Sequence, residues 1–236
     1  MNIRMIVSKQ DLCNVEVPQE TSTYKPVEHC ALIDLTLNGA AKEGFNLTGE
    51  KYRASNDGRI ATAYYDFQFG DDPEIGLRVA WQNSYNKQVS LKYAIGVNVF
   101  VCENGCFHGD LGAFRKKHVG EVQTVTPEKV HEYLQSAGDT YIQLGQHKEK
   151  LKTIEVDKRK AARMLGELYV TEGIMKETQV SIAKEQILKP SYNYNAGSTA
   201  WEFYNHITHA LKTLHPAEYI EAHQKLHDYF VKRFVL

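Results

Sequence analysis

The sequence predicts an α+β protein, with an N-terminal helix and antiparallel β-meander followed by a helical C-terminal half. Three observations carry this reading. Between residues 45 and 102 the apolar and aromatic residues recur at strand spacing. Turn-forming clusters divide that stretch at Asp57-Gly58, at Gly70-Asp71-Asp72-Pro73 and at Asn83–Lys87. Beyond residue 126 the spacing becomes helical, and capping residues stand at the segment starts. The expected organisation is an arm over residues 1–24 and one domain over 25–236, β-rich to 125 and helical from 126.

Taken in order, residues 1–24 are polar around Pro18 and Thr21-Ser22-Thr23 and read as irregular. Pro26 suits a first helical position. Val27, Cys30, Ala31, Ile33, Leu37 and Ala41 then make an apolar stripe, stopped by Gly44. Asn56-Asp57-Gly58-Arg59 is a hairpin turn joining Leu47–Ser55 to Ile60–Phe69, because Asp-Gly supplies the positive φ such turns need. Ile75–Gln82 is the next strand, and Val89–Cys102 holds one or two more. Thr126-Pro127-Glu128 starts a helix reaching about Lys150. Asp157 begins another, with Ala161, Met164, Leu165 and Leu168 inward. A third covers Lys176–Leu188 and ends before Pro190, and Ser191–Gly197 is a loop. Thr199 and Glu202 form a capping box for a helix that buries Trp201, Tyr204, Ile207 or Thr208, Leu211 and Leu214. Pro216 starts the last helix.

At 236 residues, 42% hydrophobic and 24% charged, the chain can bury a core without metal or disulfide. The N-terminus lacks a signal-peptide pattern, and no apolar run reaches membrane-spanning length, so a cytoplasmic protein with no membrane partner is expected. The four cysteines are then expected to be reduced thiols. Net charge is −1, with 13 basic and 14 acidic residues up to residue 118 and 15 of each after it. Dedicated nucleic-acid binders carry a basic excess, so any cationic surface here is local.

The densest reactive cluster runs from Cys102 to His118. Cys102, Cys106, His108 and His118 provide the four ligands zinc favours, at a spacing that matches no established zinc pattern. Cys102 as thiolate with His118 as base is the enzymatic reading. A strand end followed by a glycine-rich turn is the structural one. Asp66, Asp71, Asp72 and Glu74 are candidate Mg²⁺ ligands or, more simply, a turn. His223 and His227 lie one helical turn apart without a zincin glutamate between them, and the C-terminal histidines read as helix-surface residues. No phosphate-binding loop or dinucleotide fingerprint occurs, and no cofactor is expected.

Basic residues concentrate at Arg115, Lys116 and Lys117 and in Lys148–Arg163, which includes Lys158, Arg159 and Lys160. Beside exposed rings of Tyr64, Tyr65, Phe67, Tyr85 and Tyr93, such patches can hold single-stranded DNA by charge and stacking.

Arg78, Asn83-Ser84-Tyr85, Gly96, Val101-Cys102-x-Asn104-Gly105 and His118 occur in the order and spacing of a phage- and plasmid-encoded family catalogued as a domain of unknown function. Trp201-x-x-Tyr204-Asn205-x-x-Thr208 is similar to that family's late motif, and Tyr24 and His29 to its opening. Asn86 and Cys106 depart from the pattern. The resemblance implies a mobile-element context. A helix followed by a helix-backed meander is also loosely like single-strand-annealing proteins. The expected function is single-stranded DNA handling in replication, recombination or protection of the element. The alternatives are a module that modulates a host protein, including a defence factor, and a Cys/His enzyme. Homo-oligomerisation is compatible with the sequence.

Overall fold

In the computed structural model, which describes residues 3–101, 104–107, 113–194 and 198–236, a mostly sequential antiparallel sheet organises the chain. Its strands are β1 (Ile3–Val7), β2 (Asn46–Ser55), β3 (Ile60–Gln68), β4 (Ile75–Ser84), β5 (Leu91–Val99), β6 (Asn104–Phe107) and β7 (Ala113–Lys116). The order is β1-β2-β3-β4-β5-β6, with β7 pairing with β5 as well. The short β6 and β7 divide one edge of β5: β6 pairs with Gly96–Val99 and β7 with Leu91–Ala94. The helices are α1 (Lys9–Cys13), α2 (His29–Lys42), α3 (Val122–Gln135), α4 (Ala137–Thr153), α5 (Lys158–Gly166), α6 (Glu177–Leu188), α7 (Ala200–Leu211) and α8 (Tyr219–Phe234). A π-helical turn, Glu167–Thr171, continues α5.

The α+β class and the meander are as expected. Gly58 sits at φ +69° between β2 and β3, and Asp57 Oδ1 accepts from the Ser55 hydroxyl and the Arg59 amide. Gly44, at φ +76°, stops α2. Asp157 caps α5 by accepting from the Lys160 amide, and Thr199 caps α7 by accepting from the Glu202 amide.

Side chains alternate between the faces of a sheet, and directly paired residues share a face. The register therefore sorts the strands into two unlike surfaces. One carries Tyr52, Tyr65, Phe67, Leu77, Val79, Trp81, Tyr93, Ile95 and Val97. It packs against α2, α3 and α4. The other carries Arg53, Thr62, Tyr64, Asp66, Arg78, Ala80, Gln82, Lys92, Ala94 and Gly96. Residues 212–218 and the start of α8 lie over it. Every residue of β4 is buried as a result. A buried cluster extends from Leu12 through the apolar face to Phe230, joining the β-rich and helical halves.

Several boundaries differ from the expected ones. The stretch read as an irregular arm contains β1, which pairs with β2, and α1, capped reciprocally by Ser8 and Asp11. β1 gains its partner only in the fold, so local composition does not reveal it. α2 starts at His29, three residues past Pro26, where the Tyr85 hydroxyl accepts from the His29 amide at 2.7 Å. α3 starts at Val122 and holds Pro127 inside it. Val122 is fully buried, and that anchorage overrides the proline, which forgoes one helical hydrogen bond. Thr126, the expected cap, instead donates to the Val122 carbonyl. The long helix expected to reach Lys150 is divided at Ser136 into α3 and α4. Pro216 precedes α8 by three residues, because its carbonyl is engaged by the sheet.

The expectation of reduced cysteines fails for Cys13 and Cys30, which form a disulfide between α1 and α2 with a Cα–Cα distance of 4.9 Å. The two are 17 residues apart, and closing a loop of that size removes about 3 kcal/mol of chain entropy from the unfolded state. Cys30→Ser is therefore expected to lower unfolding free energy by about 3 kcal/mol. Urea titrations with and without reductant check this: reductant should destabilise the wild type and leave the variant unchanged.

Candidate functional site

The polar face of the sheet is the unusual surface, because hydrophobic burial alone would make it resemble its reverse side. Lys51, Arg53, Arg78, Lys92 and Arg115 all lie on it by register, with Asp66 among them. Arg78 donates from Nε and Nη2 to the two Asp66 carboxylate oxygens at 2.6 and 2.7 Å. Its guanidinium also lies 5.9 Å from the Tyr64 ring. Burial works against the Arg78 charge, and the Asp66 carboxylate more than reverses this, raising its pKa. Lys92 donates to Glu221 Oε2 at 2.6 Å, and Lys225 reaches the other oxygen at 3.0 Å. The hydrogen bonds from Lys92 and Lys225 hold the Glu221 carboxyl down at about 2. Arg115 on β7 is directly opposite Lys92 and is exposed.

His223 projects from α8 into this layer. It is fully buried, 4.1 Å from the Tyr219 ring and 6.0 Å from the Phe107 ring, and neither ring nitrogen has a hydrogen-bond partner among the described residues. Asn98 Oδ1 and Gln82 Oε1 are likewise buried with no hydrogen-bond partner among the described residues.

The residues that carried the family resemblance fall into three places. Arg78 belongs to the polar face, and Gly105 leaves space for its Nη1. Asn83, Ser84 and Tyr85 anchor the N-terminal segment. Asn83 Nδ2 donates to Val27 O at 2.6 Å and to His29 Nδ1 at 3.0 Å, while His29 Nε2 lies 3.2 Å from Gly58 O. That pattern fits a neutral His29 protonated on Nε2. Tyr85 stacks on His29 at 3.9 Å, and the Tyr24 hydroxyl donates to Ser84 O. His118 packs 5.8 Å from the Tyr24 ring, and its carbonyl accepts from the Lys25 amide. In the third place, Asn104 Nδ2 donates to Asn205 O at 3.0 Å. Asn205 Nδ2 donates to Trp201 O, and the Thr208 hydroxyl to Asn205 O. This network ties β6 to α7.

Cys102 and His108 lie outside the described residues, so the catalytic and zinc readings rest on Cys106 and His118. These two have separate surroundings. Cys106 Sγ accepts from the Tyr204 hydroxyl at 3.0 Å and lies 3.4 Å from His227 Nδ1, whose Nε2 is 3.0 Å from His147 Nδ1. Burial pushes the Cys106 thiol up to about 12, the Tyr204 hydrogen bond offsetting it only in part. A protonated, enclosed thiol is a poor nucleophile. Among the described residues no group of three or more His, Cys, Asp or Glu is arranged to hold a metal. Three of the four carboxylates considered for Mg²⁺ are committed to cations, Asp66 to Arg78, Asp72 and Glu74 to Lys148, and Glu74 also to Lys152, while Asp71 is exposed in the turn.

Two further readings are corrected. Tyr64, Tyr65, Phe67, Tyr85 and Tyr93 are all buried, because the sheet is covered on both faces, and offer no open stacking platform. His206, His223 and His227 are core residues instead of helix-surface ones. The basic residues separate as well. Lys116 is half-buried and Lys117 exposed at the end of β7, near the start of α8. Lys158 and Arg159 are exposed on α5. The Lys160 ammonium lies 5.2 Å from the Phe234 ring at the far end of α8. From Glu221 to Phe234 is roughly 20 Å of helix. The groove between them, along α8 and the Glu167–Thr171 turn, alternates Lys225, Lys232 and Arg233 with Glu167, Glu172 and Asp228. Lys148 is buried against Asp72, Glu74 and Glu149, and their carboxylates outweigh burial and raise its pKa.

The buried histidines impose a pH dependence. Burial lowers His29 to about 3, His223 to about 3 and His206 to about 4, with neighbouring charge contributing to each. Folding favours their neutral forms, so the stabilisation is complete above the unfolded value of about 6.5 and is lost as pH falls below it. Each histidine contributes up to about 1.4 kcal/mol per pH unit in that window. Urea midpoints measured from neutral pH down to about pH 4 should fall progressively, and His223→Gln should flatten the slope.

No curated protein and no solved structure matches the chain. Residues 21–228 match the model of the family described as "Domain of unknown function (DUF932)". That span takes in the sheet from β2 onward and most of α8. The chain belongs to the DUF932 family.

Proposed function

We propose that this protein binds single-stranded nucleic acid for a phage or plasmid in the host cytosol, acting in replication, recombination or protection of the element's DNA. One observation supports the reading: Lys51, Arg53, Arg78, Lys92 and the exposed Arg115 share one face of the sheet, with Arg53, Arg78 and Lys92 buried beneath the segment that leads into α8. Since the sheet's aromatic rings are internal, charge and hydrogen bonding to phosphate supply the affinity, with stacking secondary. Fluorescence anisotropy with labelled oligothymidylate tests it. Contacts to about three to five phosphates predict roughly a 20- to 100-fold loss of affinity between 50 and 200 mM salt. Joint reversal of Arg115, Lys116 and Lys117 to glutamate is expected to weaken binding about tenfold or more. Reversal of Lys158, Arg159 and Lys160, at the far end of α8, should do much less. Absence of binding at low salt, or binding indifferent to salt, rules the reading out.

A second reading, docking of a host protein, has its own support. Phe100 and Val101 are each 48% exposed beside a cleft of about 320 Å³ lined by Pro73, Tyr194 and Trp201. A stoichiometric partner captured from nuclease-treated host lysate, and lost on Phe100→Ser, favours it.

A further inference from the structure

The polar sheet face spends its donors on the chain's own C-terminal segment. Arg53 Nη2 donates to the Leu214 carbonyl at 2.7 Å. The Thr62 hydroxyl and Gln82 Nε2 both donate to the Pro216 carbonyl, at 3.0 and 2.8 Å. Lys92 donates to the Glu221 carboxylate. The Tyr219 ring meets the Tyr64 ring edge-on at 5.0 Å and lies 5.4 Å from the Arg53 guanidinium. Residues 214–221 thus present a run of oxygen acceptors, one negative charge and one ring to four donors spread over β2, β3, β4 and β5. A short stretch of single-stranded nucleic acid presents the same set: phosphate oxygens, charge and a base.

Two features argue that α8 is not the only occupant this face accommodates. A surface built solely to pack a helix would be apolar, as the reverse side of the sheet is. The match is also incomplete, because His223, Asn98 and Gln82 have buried polar atoms without a hydrogen-bond partner among the described residues, an arrangement that costs stability without returning any. The rest of α8 is held independently, since Leu226 and Phe230 are fully buried in the main core.

We infer that Leu214–His223 is a resident stand-in for the ligand, and that single-stranded nucleic acid seats its backbone on Arg53, Thr62, Gln82 and Lys92 when this segment lifts away. The inference rests on the nucleic-acid reading above and adds to it the seat and its built-in competitor. The remainder of α8, from Gln224 onward, stays docked, and the moving segment pivots at Lys212–Thr213 after α7 and parts from α8 after His223. Binding therefore exchanges one set of acceptors for another, and measured affinity is reduced by the fraction of molecules that are closed.

The test compares the full-length wild type with Tyr219→Ala, Glu221→Gln and Asp228→Asn by anisotropy against labelled oligothymidylate. Tyr219→Ala and Glu221→Gln are expected to bind roughly three- to tenfold tighter, because each weakens the competitor and enlarges the open fraction. Asp228→Asn removes the same charge as Glu221→Gln from the same helix, but in the groove facing the Glu167–Thr171 turn, and should stay within about twofold of wild type. A gain of affinity separates this from simple damage to the fold, which lowers it. Hydrogen exchange supplies the second readout: oligothymidylate should accelerate exchange of the Tyr219–His223 amides while slowing that of β3 and β4. If the wild type binds with the expected salt dependence, yet neither variant gains and exchange at Tyr219–His223 does not rise, the stand-in is wrong and the nucleic-acid reading survives. If none of the four proteins binds at low salt, both fall.

Discussion

Asp66→Ala is expected to lower the unfolding free energy by about 3–5 kcal/mol, read as a shift of the urea midpoint at unchanged slope. The Asp66 carboxylate accepts two parallel hydrogen bonds from Arg78, whose side chain is only 4% exposed. Removing the carboxylate leaves the guanidinium's charge in a layer sealed by α8 and by Tyr64. The loss therefore reflects a buried cation deprived of its bidentate carboxylate more than the net strength of the pair. The companion variant distinguishes the two: Asp66→Leu with Arg78→Met removes both charges and should recover most of the stability. A single-variant loss below about 1 kcal/mol would mean that solvent reaches the guanidinium and the layer is open.

Gly96→Ala should be nearly as damaging. A methyl group there would lie 2.1 Å from the Cys106 carbonyl oxygen and 2.6 Å from a Phe107 ring carbon. Neither neighbour has room to retreat. β5 is held on its other side by β4, where Arg78 is opposite Gly96, and β6 is pressed against α7 and α8. The expected loss is about 3 kcal/mol, at the upper end of overpacking costs, with β6 detaching first. Gly166→Ala is the control. Nothing lies within 4 Å of the added methyl, and the residue is helical. That substitution should be neutral or stabilise by up to about 1 kcal/mol. Thermal melts of the three proteins, with amide exchange across Asn104–Phe107, test both statements.

Local chemistry made much of this architecture readable. Asp57-Gly58, Gly44, Asp157 and Thr199 each act within a few residues of themselves, so the turn and caps they imply are present. Features that depend on distant partners were not readable. β1 has its mate some fifty residues away, Val122 anchors α3 through tertiary burial, and the Cys13–Cys30 bond depends on α1 and α2 lying side by side. The site followed the same division. Arg78 stood out in the motif, and its pairing with Asp66 requires the β3–β4 register. Strand alternation did contain part of the signal for the polar face, since Thr62 and Asp66 in β3, and Arg78 and Gln82 in β4, are each an even four residues apart. Tyr64 and Phe67 have the composition of stacking platforms, and only the helices packed on both sides of the sheet make such rings internal. The Cys106–His227–His147 chain joins β6, α8 and α4, elements that no sequence spacing brings together.

The division of one β5 edge between β6 and β7 has a consequence for how copies of the molecule meet. Each of those strands is four residues long, and the opposite border of the sheet is the five-residue β1, whose register against β2 is irregular. Neither β6 and β7 nor β1 offers a long, flat row of free amides and carbonyls onto which a second chain could add in register. β1 pairs only with Tyr52–Ser55, so the first half of β2, Asn46–Glu50, has no outer strand among the described residues. Strand addition between copies is thereby narrowed to that short stretch, whose register against β3 is itself interrupted between Leu47 and Gly49.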